Sequence, residues 1–70
     1  MIRMKNKFKF ILNKEKFDYE VDDTIFEAEL IGDLYTVSWY IDKEIKESVN
    51  YNIFDVTEDI KHGFWLVVEE

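Results

Sequence analysis

The chain has 70 residues, a net charge of −7, no cysteine and no proline. This length predicts one domain over residues 1–70, and the absence of cysteine excludes disulfides and thiolate metal sites. No apolar stretch is long enough to cross a bilayer, and lysines interrupt the N-terminal region where a signal peptide would be apolar. We therefore predict a cytoplasmic protein that is complete from Met1 and has no membrane contact.

Charge and aromatic content are the two conspicuous features of the composition. Residues 1–16 hold six basic residues and one acid, a net +5, whereas residues 17–70 hold three basic residues and fifteen acids, a net −12. A domain this small buries only about 60% of the surface that its unfolded chain exposes. Its stability must therefore come from the six Phe, four Tyr and two Trp side chains, or from oligomerisation.

The N-terminal half of the chain shows the alternation that is typical of β-strands. Residues 2–12 place apolar side chains on one parity and basic ones on the other, which predicts a strand buried on one face. The basic side chains are Arg3, Lys5, Lys7 and Lys9. A polar turn at 13–16 and a second alternation at 17–22 predict a hairpin. The outward acids of its second strand are Asp18, Glu20 and Asp22.

The middle of the chain predicts a second hairpin. Residues 24–31 and 34–41 alternate and are rich in β-branched and aromatic side chains. Between them, Gly32 and Asp33 form a two-residue connection in which glycine at the first central position suits a type II′ turn. A charged turn then leads to a short strand at 48–51.

One helix is predicted at about 53–62. Asn52 supplies an N-cap and Gly63 a C-terminal stop. The apolar face at helical spacing comprises Ile53, Val56, Thr57 and Ile60. Residues 64–68 are apolar on both parities, which favours a central strand. The predicted fold is α+β, an antiparallel β-sheet of five or six strands with one short helix before the last strand.

No catalytic, cofactor or metal site is predicted. His62 has Glu58 and Asp59 as neighbours, but no serine or cysteine nucleophile accompanies it, and a helix C-terminus favours a cation in any case. Glu20, Asp22 and Asp23 lack the spacing of a calcium loop, and a solvated acidic turn explains them. The same interpretation applies to the acids of the helix, and the chain is predicted not to be an enzyme.

The basic residues of the first strand allow two interpretations. They could follow a phosphate backbone, with Phe8 and Phe10 as stacking platforms. The aromatic side chains point away from the lysines, however, and the acidic remainder of the chain would repel a polyanion. We therefore favour cross-strand pairing with acids, or protection of a sheet edge, over direct nucleic-acid binding. The candidate acids are Asp18, Glu20, Glu27 and Glu29.

The acidic residues are the stronger functional indication. Carboxylates on alternate strand residues lie about 6.6 Å apart on one face and resemble the charge array of a nucleic-acid backbone. The predicted partner-binding residues are Asp18, Glu20, Asp22, Asp23, Glu27, Glu29, Asp33 and Tyr40. The competing interpretation is that the negative charge serves only solubility. Ile25, Ile31 and Tyr40 share the outward parity, so they either form an interface or lie under the helix.

The sequence predicts a function in binding. In size and charge the chain resembles the small acidic inhibitors of phages and mobile elements, including anti-defence proteins, although no motif carries that resemblance. We predict a nucleic-acid mimic that blocks a host protein with a basic surface, a defence or nucleic-acid-handling protein, in the host cytoplasm. The alternative is a self-associating structural or accessory subunit, a homo-oligomer without catalytic activity.

Overall fold

The computed structural model describes residues 6–69 of the chain. In chain order its main elements are β1 (Lys7–Leu12), β2 (Phe26–Ile31), β3 (Leu34–Tyr40), β4 (Lys46–Asn52), α1 (Ile53–Lys61) and β5 (Trp65–Glu69). The strands form one antiparallel sheet in the order β4-β3-β2-β1-β5. The predicted α+β fold, with the helix before the last strand, is confirmed. The start of the first predicted strand, including Arg3 and Lys5, lies outside the described residues.

The core lies on one face of the sheet, between the sheet and α1. Its buried members are Phe8, Phe10, Ala28, Tyr35, Val37, Val56 and Trp65. Phe10 is central, because its ring stacks on Trp65 at 4.0 Å between centroids and on Phe26 at 5.2 Å. Phe8 and Phe10 have the apolar parity of β1, so the alternation in the sequence correctly identifies the face that is buried.

The helix α1 forms as the sequence predicts. The Asn52 side chain accepts a hydrogen bond from the Asp55 backbone N–H at 2.7 Å, which satisfies one of the free donors of the first turn. Gly63 follows the C-terminus with φ of 81°, a conformation that glycine adopts without a steric penalty. The buried stripe is narrower than predicted, because Val56 is fully buried and Ile60 packs on the core while Ile53 is 42% exposed.

The hairpin between β2 and β3 is also confirmed. Ile31 pairs with Leu34, so Gly32 and Asp33 alone form the connection. Gly32 has φ of 66°, whereas no residue other than glycine has a positive φ within residues 6–69. A positive φ at the first central residue only is the signature of a type II′ turn.

The predicted second strand at 17–22 is wrong. Lys14–Lys16 form one 3-10 turn, and residues 17–25 are irregular. The physical reason is that β1 already pairs with β2 on one edge and β5 on the other, so no edge remains for a hairpin partner. Within this segment Val21 is buried and the Phe17 ring meets the Phe64 ring edge-on, with 5.8 Å between the ring centroids, whereas Tyr19 is 67% exposed.

The predicted central position of the last strand is wrong as well. Within residues 6–69, β5 pairs with β1 alone and forms an edge of the sheet. Only its first residue, Trp65, is buried, and Leu66, Val67 and Val68 are exposed by 43%, 39% and 52%. An apolar run on both faces therefore marks a sheet edge that the domain leaves uncovered, which sequence alone does not distinguish from a covered strand.

Candidate functional site

The open face of the sheet, opposite the core, carries lysines and acids in alternation. Lys7 and Lys9 on β1 stand across from Glu29 and Glu27 on β2. Lys7 Nζ lies 3.5 Å from Glu27 Oε1, and Lys9 Nζ lies 3.8 Å from Glu69 Oε1. The predicted cross-strand pairing of the basic strand is confirmed at Lys7 and Glu27. Glu27 and Glu29 therefore lie in a mixed-charge field and do not form an uninterrupted row of carboxylates.

Tyr40 lies on the same open face at the end of β3. Its side chain is 61% exposed, and Lys46 Nζ on the neighbouring strand lies 5.8 Å from the ring centroid, within cation–π range. The surface between Tyr40 and Glu27 is lined by Ser38 and Lys46. Further along β3, the Thr36 hydroxyl donates a hydrogen bond to Asn50 Oδ1 at 3.0 Å. Ile25 and Ile31 are each 59% exposed. The alternative prediction, that the helix covers Ile25, Ile31 and Tyr40, is wrong because all three side chains are exposed.

A second group of predicted residues lies in the irregular connection between β1 and β2. We call residues 18–23 the acidic segment, because Asp18, Glu20, Asp22 and Asp23 are four exposed carboxylates within six residues. A local hydrogen-bonded turn contributes to its conformation. Asp22 Oδ1 accepts hydrogen bonds from the Thr24 hydroxyl and the Thr24 backbone N–H, which lower the pKa of Asp22.

An ion pair fixes the end of the acidic segment to the 3-10 turn. Lys14 Nζ lies 2.6 Å from Asp23 Oδ1, and this hydrogen bond with its carboxylate charge raises the pKa of Lys14. Within residues 6–69, Asp18, Glu20 and Asp22 have no lysine, arginine or histidine at ion-pair distance. Three carboxylates of the acidic segment are thus exposed and form no ion pair within residues 6–69, although the charges of Glu20 and Asp22 contribute to the raised pKa of Lys14.

The eight predicted residues lie in three parts of the fold. Four belong to the acidic segment, three lie on the open face, and Asp33 lies in the turn after β2. The acidic segment precedes β2 and Asp33 follows it, so the six residues of that strand separate them by about 20 Å. Sequence reasoning missed the exposed edge of β5 and the 70% exposed Phe54. The apolar run in β5 is the available signal, although such a run is more typical of a central strand.

His62 lies at the C-terminus of α1, as its position in the sequence predicts. Its backbone N–H donates to the Glu58 carbonyl at 2.9 Å, and its Nε2 lies 3.9 Å from Glu58 Oε1. No three potential ligand side chains within residues 6–69 form a group suited to a metal ion. In the same part of the chain, no helix has the length and apolar character needed to span a membrane.

Asp59 is an acid near the C-terminus of α1, where the helix dipole disfavours negative charge. Partial burial, with a smaller effect from Asp55, raises its pKa. A pKa raised by folding means that ionisation of Asp59 opposes folding; this penalty appears above the unfolded pKa and is complete above the folded pKa. We expect Asp59→Asn to increase the free energy of unfolding by about 0.3–1 kcal/mol at pH 7. Urea unfolding at several pH values measures this, and a gain that persists in acid, where both states are protonated, would contradict it.

No protein-family model, curated protein or solved structure matches the chain.

Proposed function

We propose that this protein is a small acidic inhibitor that binds a host protein stoichiometrically and presents carboxylates to its basic surface. The observation that supports this proposal most directly is the acidic segment, in which Asp18, Glu20 and Asp22 are exposed without a cationic neighbour at ion-pair distance in residues 6–69. Carboxylates held by a folded domain can replace phosphates at a basic surface with little further ordering cost.

The distribution of lysines supports the same proposal. Lys7, Lys9 and Lys14 form ion pairs with acids of their own chain, which neutralises part of the open face and one end of the acidic segment. Asp18, Glu20 and Asp22 form no ion pair within residues 6–69 and carry part of the remaining negative charge. The target we propose is a nucleic-acid-handling or defence protein of the host, and an inhibitor encoded by a phage or mobile element is the corresponding biological class.

The proposal differs from the sequence prediction in the residues that we expect to bind. Glu27 and Glu29 stand opposite lysines of β1, so they contribute less net field than the acidic segment does. Asp33 lies at the far end of β2 and would contact a partner only if the interface extended along the whole strand. The charge contacts are therefore assigned mainly to Asp18, Glu20 and Asp22.

The test is affinity capture from a bacterial lysate at low and high salt, followed by competition with double-stranded DNA. We expect one nucleic-acid-handling protein to bind at low salt, to be released at high salt, and to be displaced by DNA. The double charge reversal Asp18→Lys/Glu20→Lys should weaken that capture at least about tenfold. Asp22 is left unchanged, because its hydrogen bonds with Thr24 maintain the conformation of the segment.

A matched control separates the position of the charge from its amount. Glu44→Lys/Glu47→Lys changes the net charge equally at two other exposed acids, in the β3–β4 connection and at the start of β4. We expect this variant to retain capture. Equal loss in both double variants would show that only total charge matters, and the proposed inhibitor surface would then be incorrect.

A further inference from the structure

The outer edge of β5 is the least protected part of the sheet. Within residues 6–69 no strand pairs with it, and the exposed side chains Leu66, Val67 and Val68 are all apolar. Natural edge strands usually carry lysine, proline or another feature that prevents pairing with a further strand. The opposite edge, β4, begins with Lys46 and Glu47 and continues with serine and asparagine. β5 has only Glu69, at its last position.

The hydrogen-bond phase of β5 shows which backbone groups face outward. The Asn13 N–H donates to the Phe64 carbonyl at 2.9 Å, and this pair continues the register in which Leu12 stands opposite Trp65. Hydrogen-bonded and non-hydrogen-bonded pairs alternate along an antiparallel ladder. Phe64 therefore directs its C=O to β1, while its N–H donates to the Asp59 carbonyl at 2.9 Å. Two residues further on, Leu66 directs both its N–H and its C=O to β1, whereas Trp65 and Val67 direct theirs to the outer edge.

We propose that β5 pairs antiparallel with β5 of a second copy of this chain, around a two-fold axis at Leu66. This register places Trp65 of each copy opposite Val67 of the other, so that outward N–H groups meet outward C=O groups. Leu66 of one copy then stands opposite Leu66 of the other in a non-hydrogen-bonded pair on the open side of the sheet, with the two Cβ atoms about 4.5–5.5 Å apart. The two sheets form one continuous ten-stranded sheet, and the interface is the same on both sides.

Charge complementarity identifies a second copy as the occupant. The two-fold axis brings the Glu69 end of one strand to the Gly63 end of the other. There the Lys16 Cε lies only 3.5 Å from the position that a Cβ on Gly63 would occupy. Within residues 6–69, Lys16 has no carboxylate at ion-pair distance. Each end of the pairing thus joins an acid of one copy to a lysine of the other, which offsets part of the repulsion between two acidic chains.

The dimensions of the interface set the expected affinity. A strand of five residues is roughly 17 Å long, and pairing along it buries less than the ~800 Å² per partner of a standard stable interface. We therefore expect a reversible dimer whose population rises with concentration. This interface does not include the acidic segment, so the existence of the dimer and the proposed inhibitor function can be tested independently.

Sedimentation equilibrium from about 1 µM to 1 mM tests the dimer, because this range covers weak associations. We expect the mass to rise from that of the monomer toward twice that value. Leu66→Lys and Leu66→Glu each place like charges on the axis and should raise the dissociation constant at least about tenfold. An equimolar mixture of the two variants should recover the dimer, because opposite charges then meet.

The control is Val49→Lys, which introduces the same charge at an apolar residue of the opposite edge strand. Val49 is 44% exposed and Leu66 is 43% exposed, so the substitutions are matched in burial. We expect Val49→Lys to dimerise as the unmodified chain does. The proposal would be overturned if the unmodified chain stayed monomeric at every concentration, or if the mixture of Leu66→Lys and Leu66→Glu stayed monomeric. It would also be overturned if Val49→Lys dissociated the dimer and the Leu66 variants did not.

Amide hydrogen exchange gives a readout that does not depend on any variant folding. The Leu66 N–H is bonded to β1 in each copy, so its protection should change little with concentration. The Trp65 and Val67 N–H groups face outward and should become protected only at concentrations at which the dimer forms. The reverse order of protection would contradict the assigned hydrogen-bond phase and overturn the proposed pairing.

Discussion

Phe10→Ala is expected to lower the free energy of unfolding by about 3–5 kcal/mol. Phe10 is 1% exposed, and its ring stacks on both Trp65 and Phe26. Removing a buried phenylalanine ring costs about 3–5 kcal/mol, because apolar contacts are lost and a cavity remains. At roughly 0.05–0.15 kcal/mol per residue, a 70-residue domain has a total stability of only about 4–10 kcal/mol. One substitution thus removes a large part of the stability.

Urea unfolding followed by tryptophan fluorescence measures this loss, since Trp65 lies directly against the deleted ring. Phe54→Ala is the matched control, because Phe54 is 70% exposed and loses the same atoms. We expect the control to change the free energy of unfolding by less than about 0.5 kcal/mol. Similar losses in the two variants would show that Phe10 is not the centre of the core.

Val56→Asp is expected to have an effect of comparable size by a different route. Val56 is fully buried, and it is the one residue of α1 in the buried core cluster. A carboxylate there would lose its hydration in an apolar environment. The carboxyl group would therefore either remain protonated or prevent α1 from packing on the sheet. We expect a loss of more than about 3 kcal/mol and detachment of α1 from the sheet.

The control for this substitution is Phe54→Asp, which introduces the same acid two residues earlier on the same helix. Phe54 is exposed and lies in the first turn, where the helix dipole favours negative charge. We expect Phe54→Asp to leave the stability unchanged or slightly increased. Thermal unfolding followed by circular dichroism separates the two variants, and equal melting temperatures would contradict the assigned orientation of α1.

Local signals predicted the elements whose causes are themselves local. Asn52 and Gly63 delimit α1 through their own capping conformations, and Gly32 specifies the turn between β2 and β3. The alternation of β1 identified Phe8 and Phe10 as core residues, because strand side chains point to opposite faces whatever the partner strand is. The cross-strand pairing of Lys7 with Glu27 also followed from charge and parity.

The candidate site was predicted less completely, because it depends on which strands are neighbours. Asp18, Glu20 and Asp22 are exposed as their parity indicates, yet they lie in an irregular segment and lack the regular spacing of a strand. Their acidity is visible in the sequence. Their conformation is not, because it depends on both edges of β1 being occupied by β2 and β5.

Sequence patterns were sufficient to predict the fold class, the helix with its caps, the tight turn and the buried face of the first strand. The edge position of β5, the placement of Tyr40 on the open face and the separation of Asp33 from the acidic segment became evident only from the packed fold. The two groups of features differ in the sequence separation over which their causes act. Caps, turns and periodicity act within a few residues, whereas strand order depends on competition among distant segments for the edges of β1.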